Sequence, residues 1–169
     1  MMLTEKGFGL NDFFVIGAVL VSWTIYFLLP KIFSEQVTVL IFLYSVTAAG
    51  ILDNSFGAAP FDFYDIMDGP AYTVMDVVVY FLYPPFGYIF LFIYQKLHIS
   101  NRFLVLFILV FSVISFGFEW VNFKMGVFHY KSGYSIIYSV CVYLIVQPIF
   151  VLFFNLIKEN PLQTKNPEG

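Results

Sequence analysis

FLVLFILVFSVISFGFEWV, residues 103–121, carries one charged side chain, Glu119, in 19 positions. An apolar helix of about 20 residues crosses the hydrocarbon layer of a bilayer. Four other runs read the same way, giving helices over about 13–29, 37–53, 71–94 and 136–157 beside 103–121. The fold class is therefore all-α: a polytopic transmembrane helical bundle of five spans forming a single integral membrane domain, 1–169.

Composition closes the other routes. Hydrophobic residues make up 60% of the chain, Asp, Glu, Lys and Arg together 11%, and mean hydropathy is +0.86. A soluble protein of 19.5 kDa has too much surface per volume to bury that much apolar sequence. Barrel strands alternate apolar and polar residues, whereas these runs are continuously apolar and contain prolines. The net charge of −3 and the lack of a basic block exclude nucleic acid as a partner. The single cysteine, Cys141, cannot form an internal disulfide and reads as a small apolar residue.

Eight basic residues decide orientation. Five alternating spans put Lys31, Lys96, Arg102, Lys158 and Lys165 on one side and Lys6, Lys124 and Lys131 on the other. The positive-inside bias then predicts an outward N-terminus and a cytoplasmic C-terminus. The first run lacks the basic flank and cleavage site of a signal peptide and reads as a retained helix.

The second connection, NSFGAAPFDFYDIMDGP, spaces Asp62, Asp65 and Asp68 by three. If 62–68 is a short helix, these acids share one side, either solvated or gathered around something positive. Pro84 and Pro85 fall inside the third run and predict a bend there, because proline lacks the N–H and its ring meets the preceding turn. Pro148 falls inside the fifth.

Helical spacing aligns the polar residues into stripes: Asp76, Tyr80 and Tyr83 on the third helix, Ser112, Ser115 and Glu119 on the fourth, and Ser139, Tyr143 and Gln147 on the fifth. Offsets of three, four and seven share a helix face, and such faces turn away from lipid. A polar seam of Tyr80, Tyr83, Ser112, Ser115, Tyr143 and Gln147 is therefore expected inside the bundle. Asp76 and Glu119 are expected to face each other at its outer end, beside Asp53 and Asn54, because an uncompensated charge among acyl chains is costly. With Asp65, these are the candidate ligand- or ion-binding residues. A separation beyond about 20 Å, two helix diameters, removes a shared site.

No HExxH, GxSxG, phosphate-binding lysine loop or paired-cysteine metal site occurs, and no cofactor is implied. His98 and His129 fall on opposite sides of the predicted bundle, so they do not share a metal.

Asp53–Asn54, LYPPFGY at 82–88, FEW at 118–120 and the following GVFHYKSGYS together resemble small, functionally uncharacterised multi-pass membrane proteins of Bacillus-like and Clostridium-like bacteria. The resemblance implies the plasma membrane of a Gram-positive bacterium and carries no activity across. Three functions compete. The favoured one is a structural or regulatory subunit surrounded by membrane lipid and binding itself or another membrane protein. The alternatives are a small transporter, channel or sensor for a cation or polar ligand, and a membrane-embedded enzyme on a lipid-linked substrate using Asp65, Asp76 and Glu119.

Overall fold

The computed structural model describes residues 8–67, 69 and 73–158. Helix α1, Leu10–Leu28, starts where Asp12 accepts a 2.6 Å hydrogen bond from the Gly9 N–H. It stops at Leu29, which is extended as a residue before proline prefers to be. Helix α2, Glu35–Phe56, is capped by Ser34, whose hydroxyl accepts from the Val37 N–H. The third run is two helices, α3 (Val74–Tyr80) and α4 (Tyr83–Lys96). Helix α5 is Asn101–Lys124, and α6, Ser139–Lys158, follows a 3-10 turn at Ile136–Tyr138. The helical runs form five rods of 19 to 24 residues, each long and apolar enough to cross a membrane. Residue 71, the expected start of the third helix, lies outside the described residues, as does Asp68.

The third rod is the core of the bundle. Of its most apolar window 56% is buried, against 17–22% for the other four. Its interruption lies at Phe81–Leu82, just ahead of the proline pair. Pro84 and Pro85 cannot donate to the carbonyls four residues back, so they sit in the first turn of α4, where no donor is needed. The N–H groups of Phe81 and Leu82 instead bond three residues back, to Val78 and Val79, at 3.0 Å each. The Phe81 carbonyl, which a non-proline residue 85 would have bonded, accepts from Trp23 Nε1 of α1 at 2.9 Å. A side chain from a neighbouring rod thus fills the backbone vacancy that the prolines create.

Helix α4 packs against α2 and α1, and meets α5 through the Phe86–Phe118 and Phe90–Phe107 ring pairs. Helix α6 lies between α5 and α2. The half of the bundle holding the C-terminal ends of α1, α4 and α6 is an aromatic core, in which Tyr26 and Phe33 meet the buried Tyr88 edge-on and Tyr44 stacks on Phe150 at 4.5 Å. The flanks are apolar and exposed, as at Val21, Leu43, Val105, Val113 and Leu152. So continuous an apolar surface suits lipid or another apolar helix and not water.

The other end is closed by a structure the acid spacing does not predict. Residues Tyr64–Ile66 (β1) form a strand, not a helix, paired antiparallel with Phe128–Tyr130 (β2) from the α5–α6 connection. Tyr64 faces Tyr130, Asp65 faces His129 and Ile66 faces Phe128. Asp62 and Met67, with φ of 48° and 55°, bound the strand, and left-handed backbone at both positions stops a helix. The segment between Pro60 and Gly69 is also too short to pay back helix nucleation, whereas Phe63, Tyr64 and Ile66 favour strand.

Rods α2, α4 and α6 come together at Gly87. A Cβ there would collide with Ser45 Oγ of α2 and sit 3.1 Å from Phe150 Cε1 of α6. Gly87→Ala should lower unfolding stability by about 1–2 kcal/mol net, overpacking outweighing a helix-propensity gain of about 1. Adding Ser45→Ala should restore at least half of the loss in the same detergent-unfolding measurement.

Candidate functional site

Helix α5 brings Glu119 to the ribbon end, one turn before its last residue, and buries it. Three hydroxyls donate to its carboxylate: Tyr130 of β2 and Ser139 of α6 to Oε1 at 2.5 Å each, and Tyr143 of α6 to Oε2 at 2.6 Å. Tyr134 lies 2.9 Å from Ser139 Oγ and extends the set outward. Each such bond to a charged acceptor contributes about 1.5–3 kcal/mol, enough to hold a carboxylate where water is scarce.

Asp53, in the last turn of α2, forms a second centre. Tyr64 of β1 donates to Oδ1 at 2.8 Å and Tyr83 of α4 to Oδ2 at 3.5 Å, with Tyr80 of α3 also bonded to this carboxylate. The ribbon joins the two centres, because Tyr64 and Tyr130 are cross-strand partners with rings 6.4 Å apart. Burial, then the charge of Asp53, keeps the Tyr64 hydroxyl protonated well above the ordinary tyrosine range, with Glu119 contributing in the same sense. Burial and the bond to Glu119 do the same for Tyr130.

Below Glu119 the stripes on α5 and α6 zip together. Gln147 accepts from Ser112 Oγ at 3.3 Å through Oε1 and donates from Nε2 to Ser115 Oγ at 3.0 Å. Ser112, Ser115 and Glu119 thus face Gln147, Tyr143 and Ser139 in antiparallel order. Tyr80 and Tyr83 meet the Asp53 carboxylate.

The remaining candidates are held elsewhere. Asp76 caps α3: its Oδ2 accepts from the Thr73 N–H at 2.5 Å and the Thr73 hydroxyl at 2.8 Å, and its own N–H points to that hydroxyl at 3.4 Å. Glu119 is therefore grouped with Asp53 by the ribbon, and Asp76 is engaged at a helix start. Asp65 belongs to an outer ion-pair cluster, where Lys131 Nζ bridges Asp62 at 2.7 Å and Asp65 at 2.8 Å. Those two hydrogen bonds raise the Lys131 pKa. Asn54 turns back onto its own helix, donating to the Gly50 carbonyl at 2.7 Å.

Tyr64, Tyr130 and Tyr134 are site residues that helical spacing does not reach, because they lie in the connections. The signal the sequence offers is aromatic density: Tyr64 stands beside Asp65 in one connection, and Tyr130 and Tyr134 flank Lys131 in the other, which holds no acid. Among the described residues no group of three His, Cys, Asp or Glu side chains is placed to hold a metal ion. What the arrangement offers chemically is two carboxylates met by hydroxyl donors, able to exchange a proton or attract a cation. Family models, curated proteins and solved structures yield no match to the chain.

Tyr130→Phe and Tyr143→Phe should each cost about 1.5–3 kcal/mol of unfolding stability, with Tyr138→Phe, at an exposed ring, as the silent control. Raised tyrosine pKa values stabilise the fold fully below about pH 10 and lose that contribution as pH climbs towards the folded-state values. A titration of tyrosinate absorbance up to pH 11.5 should therefore show unchanged amplitude in Tyr64→Phe and Tyr130→Phe while the fold persists.

Proposed function

We propose that the chain is a multi-pass membrane protein with a structural or regulatory role, binding a second copy of itself or another membrane protein. The observation that carries this reading is the closure of the polar seam on itself. Glu119 is occupied by three hydroxyls and Gln147 by two serines, so these groups fasten α5, α6 and the ribbon together. The surface left for recognition within a membrane is the apolar flank of the rods. The basic residues support an outward ribbon end: Lys31, Lys96, Arg102 and Lys158 flank the far ends of their helices, while Lys124 and Lys131 flank the ribbon. The family resemblance supports the plasma membrane of a Gram-positive bacterium.

A second reading, a sensor or pathway for protons or a small cation, is favoured by one specific feature. Among the described residues the ion pairs run from Lys131 to Asp62 and Asp65, while the Asp53 and Glu119 carboxylates are met by hydroxyls. An enzyme on a lipid-linked substrate needs Asp65, Asp76 and Glu119 to converge, and their separate partners weigh against it.

Native mass spectrometry from nanodiscs should show the chain with a second copy or a stoichiometric membrane-protein partner. A monomer carrying lipid alone would overturn the subunit reading. In proteoliposomes, Asp53→Asn and Glu119→Gln should leave cation and proton flux at the wild-type level. A loss of flux of tenfold or more in either variant would move the assignment to the second reading.

A further inference from the structure

Four tyrosines touch ring to ring at the ribbon end. Tyr138 stands 5.7 Å from Tyr134, and Tyr134 stands 5.4 Å from Tyr130 and 6.1 Å from Tyr64. Tyr138 is 54% exposed, in the turn that leads into α6, where tyrosine hydroxyls reach the headgroup level of a membrane. Tyr130 ends on the buried Glu119 carboxylate. The rings thus connect the surface of the bundle to one of its two buried acids.

Packing explains ring contacts on its own. The hydroxyls do more than packing requires. Tyr130 donates to Oε1 of Glu119, Ser139 Oγ donates to the same oxygen, and the Tyr134 hydroxyl lies 2.9 Å from Ser139 Oγ. A continuous line of hydrogen bonds therefore joins the Tyr130 and Tyr134 hydroxyls through Glu119 and Ser139, beside two rings already in contact. An oxidised phenol is a strong acid, so a tyrosine gives up an electron readily where its proton has an acceptor within hydrogen-bond reach. Tyr130 has that acceptor in Glu119, and Tyr64 has one in Asp53. Among the described residues the line that returns a proton to Tyr134 starts from Glu119, which singles out Tyr130.

We propose that Tyr138, Tyr134 and Tyr130 form a radical relay, which takes one oxidising equivalent from the membrane surface and holds it at Tyr130. The oxidant is an organic peroxyl radical of the lipid phase. It abstracts the hydroxyl hydrogen of Tyr138, leaving a hydroperoxide and a Tyr138 phenoxyl radical. Tyr134 passes an electron to Tyr138 ring to ring and a proton to interfacial water, while Tyr138 regains its proton from that water. Tyr130 then passes an electron to Tyr134 and its proton to Glu119. Glu119 hands a proton to Ser139, and Ser139 hands its own to the Tyr134 oxygen. Tyr134 and Tyr138 end as phenols, Glu119 as a carboxylate and Tyr130 as the phenoxyl radical. The relay requires neither the partner nor the cation response proposed above.

The test starts from Cys141, the single cysteine, which is exposed and one helical turn beyond Tyr138. A ruthenium tris-bipyridyl label on that thiol, in the full chain in nanodiscs, is flash-oxidised with a pentaamminecobalt(III) acceptor, and tyrosyl radical is followed by electron paramagnetic resonance. The unsubstituted chain should give a long-lived tyrosyl signal. Tyr130→Phe should shorten its lifetime at least about tenfold, because the radical is then left near the surface. Ser139→Ala keeps every ring and cuts the proton line, and should shorten the lifetime by a similar factor. Tyr64→Phe, which removes the other carboxylate-bound hydroxyl, should stay within about twofold. If Tyr130→Phe or Ser139→Ala fails to fold, Tyr134→Phe, which gives up one hydrogen bond, should shorten the lifetime in the same way. No tyrosyl signal, a lifetime in Tyr130→Phe, Ser139→Ala or Tyr134→Phe equal to the unsubstituted chain, or an equal loss in Tyr64→Phe would overturn the relay.

Discussion

A carboxylate buried at the end of an apolar helix must be met by donors, and that constraint organises one whole end of this molecule. Glu119 lies on a helix whose other residues ask for lipid or packing. Its oxygens draw in a strand, a helix start and a second turn of that helix through Tyr130, Ser139 and Tyr143. To deliver Tyr130, the α5–α6 connection must fold back over the bundle. Once there it pairs with β1, which delivers Tyr64 to Asp53. Two connections and the ends of α2, α5 and α6 are thereby fixed by hydrogen bonds to two acids. The rest of the bundle is held mainly by rings and aliphatic contacts, which are less demanding about direction.

The central rod shows a related economy of backbone groups. Two adjacent prolines in a buried apolar segment leave carbonyls without their usual donors. The chain answers with a tight turn at Phe81–Leu82 and with the Trp23 indole, which crosses from α1 to the Phe81 carbonyl. The break is thus supported from outside its own helix, and α1 is tied to the middle of the core by a directional bond as well as by packing.

The five rods were legible because hydropathy sums over about twenty residues. The ladder between α5 and α6 was legible for a similar reason: Ser112, Ser115 and Glu119 repeat at helical offsets, and so do Ser139, Tyr143 and Gln147. The ribbon was not. A strand of three residues has no period to read, and its partner lies 66 positions away by the Tyr64–Tyr130 pairing. Asp76 illustrates competing signals. Its depth in an apolar run points to a binding site, while Thr73-Val-Met-Asp76 carries the Thr-x-x-acid signature of a helix start, and Asp76 does bond Thr73 there. The acids at 62 and 65 invited a helical face, but left-handed backbone at Asp62 and Met67 set a strand, with Lys131 as the positive group gathered there.

The ribbon also bears on how the chain is made. Its two strands are separated in sequence by α3, α4 and α5, so β1 has no partner until residue 130 has left the ribosome. Asp53 and Tyr64 are synthesised long before Tyr130, Ser139 and Tyr143, and Glu119 gains its last donor only when α6 begins to emerge. The first four rods must therefore persist as an unfinished intermediate with that end open. Closure is a late event in biogenesis, and a chain truncated before α6 would retain the Asp53 centre while leaving Glu119 without two of its three hydroxyls.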